Sequence, residues 1–204
     1  MTVLILCLAT AYLIGSFSSA ILLSKLLKFP DPRESGSHNP GATNVLRLGG
    51  KKAAAIVLII DMLKGLLSVL IAKGLGLQGM ELAFIALAAV IGHVFPIFYK
   101  FKGGKGVATA LGGFFGLSFI LGLLATLVWI LVAKFWRYSS LSSLSAGLSA
   151  PIFSMALAQK PFFIPLFLIA ALLIWTHKSN IERIINGLEP KLGEDKTSDS
   201  DHQS

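Results

Sequence analysis

"GVATALGGFFGLSFILGLLATLVWILVAK", residues 106–134, runs for 29 residues with no charge before its final lysine, and its reading decides the fold. As one straight helix it would extend about 43 Å, against a hydrocarbon core about 30 Å thick. Two full spans need about 40 residues, so it is too short for two. The glycines of "GGFFGLSFILG" (112–122) offer a break. The segment therefore divides into two short helices that leave and return.

Working outward, further hydrophobic stretches fall at 3–24, 53–73, 81–99, 141–158 and 162–177, each an ordinary or slightly short span. The loops at 25–52 and 100–105 carry Lys25, Lys28, Arg33, Arg47, Lys51 and Lys52, then Lys100, Lys102 and Lys105. Basic loops face the cytoplasm, and Lys134 and Arg137 join them only if the chain crosses and returns between Lys105 and Lys134. The expectation is an all-α polytopic membrane bundle of seven transmembrane helices, N-terminus out and C-terminus in, with a short hairpin at 106–134. Only Lys73 and Lys160 then lie near the outer face. The alternative has six helices with one long fourth span.

Composition agrees with a membrane chain. Of 204 residues, 54% are hydrophobic and 14% charged, where a soluble domain carries about 25% charged. Mean hydropathy is +0.77. A net charge of +8 could suggest nucleic acid, but the basic residues punctuate apolar segments instead of forming a stripe. Membrane lipids, not nucleic acid, are the expected surroundings. The single cysteine, Cys7, has no intrachain partner. No two of His38, His93, His177 and His202 share ligand spacing, so no metal is expected. "TVLILCLATAYLIGSFSSAILL" (2–23) lacks a basic n-region and exceeds a signal peptide's apolar core, so it reads as a retained span, with cleavage the lesser alternative. One domain covers 1–192, and "GEDKTSDSDHQS" (193–204) reads as a disordered polar tail.

Four polar segments collect on one side of this topology: "GSHNPGATN" (36–44) followed by Arg47, "FKGGKG" (101–106), "RYSSLSS" (137–143) and "THKSNIER" (176–183). Glycine lets backbone amides close around a phosphate, and Lys or Arg balances its charge. "GGKG" also runs into a helix N-terminus. Each alone is weak, since "GGKG" lacks Walker spacing and basic loops usually report topology. Their convergence favours a phosphate-handling site. Asp61 and Lys64, three residues apart within a span, read as a structural pair in preference to catalytic groups. His93 reads as an interhelical hydrogen bonder, and Ser16, Ser18 and Ser19 as small contact residues. Two classes remain at this level, an enzyme acting on phosphates and a transporter of a small organic phosphate. The absence of a repeated half speaks against transport.

"GSHNPGATNVLRLGGKKAA" (36–54), "DMLKG" (61–65), "GHVFPIFYKFKGGKGVAT" (92–109), "SSLSS" (139–143) and "HKSNIERIINGLE" (177–189), taken in order, resemble the bacterial integral-membrane acyl-phosphate:glycerol-3-phosphate acyltransferases. The resemblance implies the first acylation of phospholipid synthesis. An acyl group passes from acyl phosphate to the 1-hydroxyl of glycerol 3-phosphate, giving lysophosphatidic acid and inorganic phosphate. It further implies a multi-pass protein of the bacterial inner membrane, an active site towards the cytoplasm, and no metal, cofactor or obligate protein partner. Two departures stand out: His38 occupies a position where glycine is common, and "GSFSSA" (15–20) lacks a common proline.

Carried onto this chain, the resemblance makes Ser37, Asn39, Gly41, Ala42, Thr43 and Asn44 the cradle for acyl phosphate. Arg47 and Lys105 balance phosphate charge. Ser142, Ser143, His177 and Asn180 hold glycerol 3-phosphate. Gly103, Gly104 and Gly106 let their loop approach the ligand, and Glu189 fixes the C-terminal segment. Ser37, Arg47, Lys105, His177 and Asn180 form the expected catalytic set. The His-Asp dyad of soluble acyltransferases is absent, because Thr43, Phe98 and Glu182 stand five positions after His38, His93 and His177. An acyl phosphate already has a good leaving group. Substrate-assisted transfer, with a substrate phosphate taking the hydroxyl proton, is therefore preferred. His177 as base comes second, and an acyl-enzyme on Ser37 third.

Overall fold

Residues 106–134 break at Ser118, not at a glycine. In a computed structural model that describes residues 1–193, α5 (Val107–Leu117) ends there and α6 (Phe119–Trp136) begins. Ser118 adopts an extended backbone and its hydroxyl accepts from the amide of Leu121, an N-cap that starts α6 at once. The preceding elements are α1 (Thr2–Ser16), α2 (Ser19–Leu27), α3 (Ala42–Gly74) and α4 (Met80–Val94). After α6 come α7 (Ser139–Ala156), α8 (Phe163–Thr176) and α9 (Lys178–Ile185).

The all-α membrane bundle stands, but the count of seven spans does not. Among the described residues four helical stretches are long and apolar enough to cross a membrane: Thr2–Leu27, Ala42–Gly74, Met80–Tyr99 and Phe119–Trp136. A fifth counts if Lys160–Thr176 and Lys178–Ile185, bent by 61°, form one broken span. The expectation treated every apolar run as a crossing, and three runs resist that treatment. With 11 residues, α5 reaches only about 16 Å. In α7, 18 residues long, seven serines dilute the apolar surface. Only 14 residues make up α8. The C-in end of the N-out, C-in assignment followed from the odd count and loses that basis, whereas the N-out end rested on the basic loop 25–52.

Close helix crossings organise the bundle. Where α3 meets α5, a Cβ added at Gly65 would lie 1.9 Å from the Thr109 carbonyl oxygen, and one at Gly112 would lie 1.8 Å from that of Met62. The same reciprocal contact joins α1 and α4 through Gly15 and Gly92. Without side chains at these points the backbones touch, which is how helices gain dispersion energy in lipid. Phe114, Leu121, Ile85, Leu166, Ile169 and Leu173 fill the interior. Ile59, Phe119, Ile130 and Phe135 remain on the outside, as lipid-facing residues do.

The chain between α1 and α2 is unwound at Phe17 and Ser18. Lys64, on α3, serves the carbonyls this break exposes, donating to Phe17 O at 2.8 Å and Gly15 O at 3.3 Å. It also pairs with Asp61 at 2.8 Å and donates to His93 Nδ1 at 3.1 Å. Ser19 donates to the same Asp61 oxygen at 2.8 Å. Ser18 caps α2, and Ser16 accepts from the Ile97 amide. These serines thus do more than keep helices close. The polar tail expected at 193–204 lies, apart from Gly193, outside the described residues.

Candidate active site

The first polar loop is built around Asn44, in the first turn of α3 and 1% exposed. Its Oδ1 accepts from the Ser37 amide at 2.9 Å, while Nδ2 donates to the carbonyls of Pro32 and Ser35 at 3.0 and 2.9 Å. The amide group is committed to the loop, so Asn44 shapes the cradle. Gly36 has φ +67, and a Cβ there would sit 2.2 Å from Asn44 Oδ1. His38 also lies in the left-handed region at φ 56, which costs a non-glycine residue about 1–2 kcal/mol. The backbone thus accounts for a glycine preference at that position. Ser37 and Arg47 are exposed, and Thr43 shares a 3.3 Å hydrogen bond with Ser139, which ties this loop to the start of α7. Asn39 packs over Gly41, whose added Cβ would lie 2.9 Å from Asn39 Nδ2, and Ala42 is half-buried beside them.

The second loop presents Lys105. Its ammonium donates to Asn180 Oδ1, and its backbone carbonyl accepts from Thr176 Oγ1 at 3.2 Å. Gly106 has φ 88 and opens α5. Gly103 and Gly104 are pressed against His93.

Beyond Lys105 the contacts continue into a small polar knot. Asn180 Nδ2 donates to Glu189 Oε1 at 2.7 Å, Ser140 donates to the same oxygen at 2.6 Å, and Arg183 Nε donates to Oε2 at 2.7 Å. His177 sits at the 61° bend between α8 and α9, buried, with Nδ1 donating to the Leu173 carbonyl at 2.8 Å. That bond fixes the neutral tautomer and leaves Nε2 as the accepting nitrogen.

Electrostatics follow from this packing. Burial, the largest effect, pulls the Lys105 pKa down to about 8; Glu189 opposes the shift, while Arg183 and Arg47 push it further down. Burial works against ionisation of Glu189, but hydrogen bonds from Ser140, Asn180 and Arg183 hold its carboxyl below the usual value. Cations in excess of carboxylate, together with oriented amide and hydroxyl donors, suit a phosphate. Among the described residues no three His, Cys, Asp or Glu side chains group closely enough to hold a metal ion.

Lys105, Asn180 and Glu189 form one contact chain, with Arg47 in electrostatic range. The α7 serines divide differently from expectation. Ser142 donates to Tyr138 O at 2.7 Å, and Ser143 donates to Ser139 O at 2.8 Å while accepting from Trp129 Nε1. Ser143 thereby ties α7 to α6, whereas Ser139 and Ser140 bond to the first loop and to Glu189. Asp61 and Lys64 belong to the separate intramembrane network. Arg183 went unrecognised in the sequence, although it follows Asn180 by three residues and so shares its helix face.

The glycerol-3-phosphate acyltransferase family profile matches residues 5–187. A glycerol-3-phosphate acyltransferase of Legionella pneumophila is 48% identical over 193 residues, covering 94% of this chain and 70% of the relative. One from Coxiella burnetii is 47% identical over 188 residues, covering 92% and 97%. Among solved structures, PlsY (YgiH), an integral membrane glycerol 3-phosphate acyltransferase, superposes in its glycerol 3-phosphate form with a TM-score of 0.88. That match has 41% identity and covers 93% of this chain and 96% of that one. The lysophosphatidic acid form gives 0.86 at 40% identity, covering 93% and 95%.

Proposed function

This chain belongs to the glycerol-3-phosphate acyltransferase family, and on that premise we propose that its Lys105 cluster receives the phosphate of glycerol 3-phosphate. The protein is a multi-pass membrane enzyme that transfers an acyl group from acyl phosphate to glycerol 3-phosphate, producing lysophosphatidic acid. In the step itself the acceptor hydroxyl oxygen bonds to the acyl carbon. The bond from that carbon to the phosphate oxygen breaks, and inorganic phosphate leaves with the electron pair.

One observation carries the site assignment: the contact chain from Lys105 through Asn180 to Glu189. It places a cation beside a fixed amide, with Arg183 locked behind them. In this reading His177 lines the same pocket and aligns the glycerol. Ser142 and Ser143 stiffen α7 at its edge. The acyl phosphate occupies the first loop, against Ser37, Asn39, Gly41, Ala42 and Thr43, with Arg47 at its phosphate. Arg47 supports this role because it is exposed and has no protein partner among the described residues. Two anions meeting at one site need both cations.

The hydroxyl proton passes to a substrate phosphate. In support of this, the His177 ring donates to a backbone carbonyl where a catalytic triad would place a carboxylate, and Glu189 acts on it only from a distance. The site opens to the cytoplasm of a bacterial inner membrane, because Lys25, Arg33, Lys100 and Lys102 line one open cleft at the loop end that carries Lys105. Membrane lipid surrounds the bundle and retains the acyl chain. The testing experiment measures inorganic phosphate release from acyl phosphate and glycerol 3-phosphate, with palmitoyl-CoA as the alternative donor. Lys105→Met should raise the KM for glycerol 3-phosphate; an unchanged KM rejects the assignment.

A further inference from the structure

The intramembrane ion network and the Lys105 loop meet at a single residue, His93. Its Nδ1 accepts from Lys64, so the ring proton resides on Nε2 at the opposite edge. That edge faces Gly104, where an added Cβ would lie 2.2 Å from Nε2. The backbone of His93 also takes part. Its carbonyl accepts from the Gly104 amide at 3.2 Å, and a Cβ at Gly103 would sit 2.0 Å from the same oxygen. Ring and carbonyl together form the floor beneath Gly103 and Gly104, and the next residue is Lys105.

The floor is stiff. Lys64 is held by Asp61 and by the carbonyls of Gly15 and Phe17, and Asp61 by Ser19. Rotating His93 would strip a partner from a buried ammonium, where the low dielectric makes each bond matter more.

We propose that His93, clamped by Lys64, is a positioning residue for Lys105: it sets the height of the Gly103–Gly104 turn and thereby the place where the ammonium meets substrate phosphate. The inference rests on the assignment of Lys105 to glycerol 3-phosphate. It gives the two glycines a different reason from the one the sequence suggested. Gly104 lacks a side chain because of the histidine ring beneath it, and Gly103 because of the backbone carbonyls of His93 and Val94 and the ring of Pro96.

A double-mutant cycle tests this in the full-length enzyme. His93→Asn keeps an amide oxygen for Lys64 but withdraws the ring, and Gly104→Ala adds the methyl group that the ring forbids. Gly104→Ala alone should raise the KM for glycerol 3-phosphate by about tenfold or more, and by less than about threefold in the His93→Asn background. An equal penalty in both backgrounds overturns the proposal. Should Gly104→Ala not fold, its recovery alongside His93→Asn reads the same coupling, and failure in both backgrounds counts against it. His93→Asn alone should raise KM more than it lowers kcat; a lowered melting temperature with unchanged KM would leave it a purely structural residue. Lys105→Met separates the two claims. An unchanged KM there defeats the phosphate assignment, whereas a raised KM with additive effects at 93 and 104 defeats only the role of His93.

Discussion

Lys105 and Asn180 are hydrogen-bonded across 75 residues of sequence, the ammonium donating to the side-chain carbonyl. This orients the amide of Asn180 so that its NH₂ group can only donate, and it donates to Glu189. The carboxylate therefore acts on the lysine through an intermediate, which keeps the ammonium from being neutralised by direct pairing. A cation held in this way remains available to a phosphate.

Removing either cation should do more harm than removing His177. A lost charge-assisted contact costs about 1.5–3 kcal/mol, or about ten- to over a hundredfold in kcat/KM. Arg47→Ala and Lys105→Met should fall in that range. His177→Ala should keep measurable turnover at saturating glycerol 3-phosphate. Background-level activity in that variant, with binding intact, would establish His177 as the obligate base.

The pH dependence of KM should report Lys105. Its pKa in the free enzyme is pulled down to about 8, so the charged, phosphate-binding form is complete below that value and lost above it. The KM for glycerol 3-phosphate should rise above pH 8, approaching about tenfold per unit. Saturated kcat changes less, since the bound anion restores the proton. The substrate phosphate itself titrates near about 6, well clear of this limb. Lys105→Arg should abolish the limb, and a flat KM from pH 7 to 9 would contradict the assignment.

Glu189 should matter through the donors it gathers. Glu189→Ala leaves Ser140, Asn180 and Arg183 without their common acceptor, whereas Glu189→Gln keeps an oxygen for some of them. Alanine should therefore lower melting temperature and kcat/KM further than glutamine, by about tenfold or more in activity. Because the folded carboxyl titrates below its ordinary value, its stabilisation is present above the unfolded pKa and lost as pH falls through the folded one. The stability gap between wild type and Glu189→Gln should close on acidification.

For Asp61 and Lys64, breaking the pair should be worse than deleting it. Asp61→Asn or Lys64→Met alone strands a buried charge, a loss of about 3–5 kcal/mol. The double variant should recover part of that in detergent unfolding. Strict additivity would show that the two groups do not depend on each other.

The sequence marks the candidate site as four polar islands in an apolar chain, each weak alone, and the family resemblance supplies the roles of their residues. Lys105, Asn180 and Glu189 were all picked out as candidates. Their order of contact could not be read, since it depends on how α5, α8 and α9 converge. Ser140 is passed over for Ser142 and Ser143, because helical phase within "SSLSS" cannot say which of these buried hydroxyls reaches Glu189 and which bond back to their own helix. The spans were miscounted for a related reason. Hydropathy measures how apolar a run is, and α5 is apolar and largely buried in the bundle yet too short to count as a crossing by length.

The break between α1 and α2 bears on how the protein is made. Until α3 arrives, the carbonyls of Gly15 and Phe17 sit in hydrocarbon without a donor, each at several kcal/mol. Until α1 arrives, Lys64 lacks two of its acceptors, and Asp61 lacks the hydroxyl of Ser19 just beyond the break. Neither segment is comfortable in lipid alone, and each carries the remedy for the other. The α1–α2 segment leaving the ribosome is therefore only half a fold, and a translocon that let it drift away before residue 64 emerged would release a segment with no stable place in the bilayer.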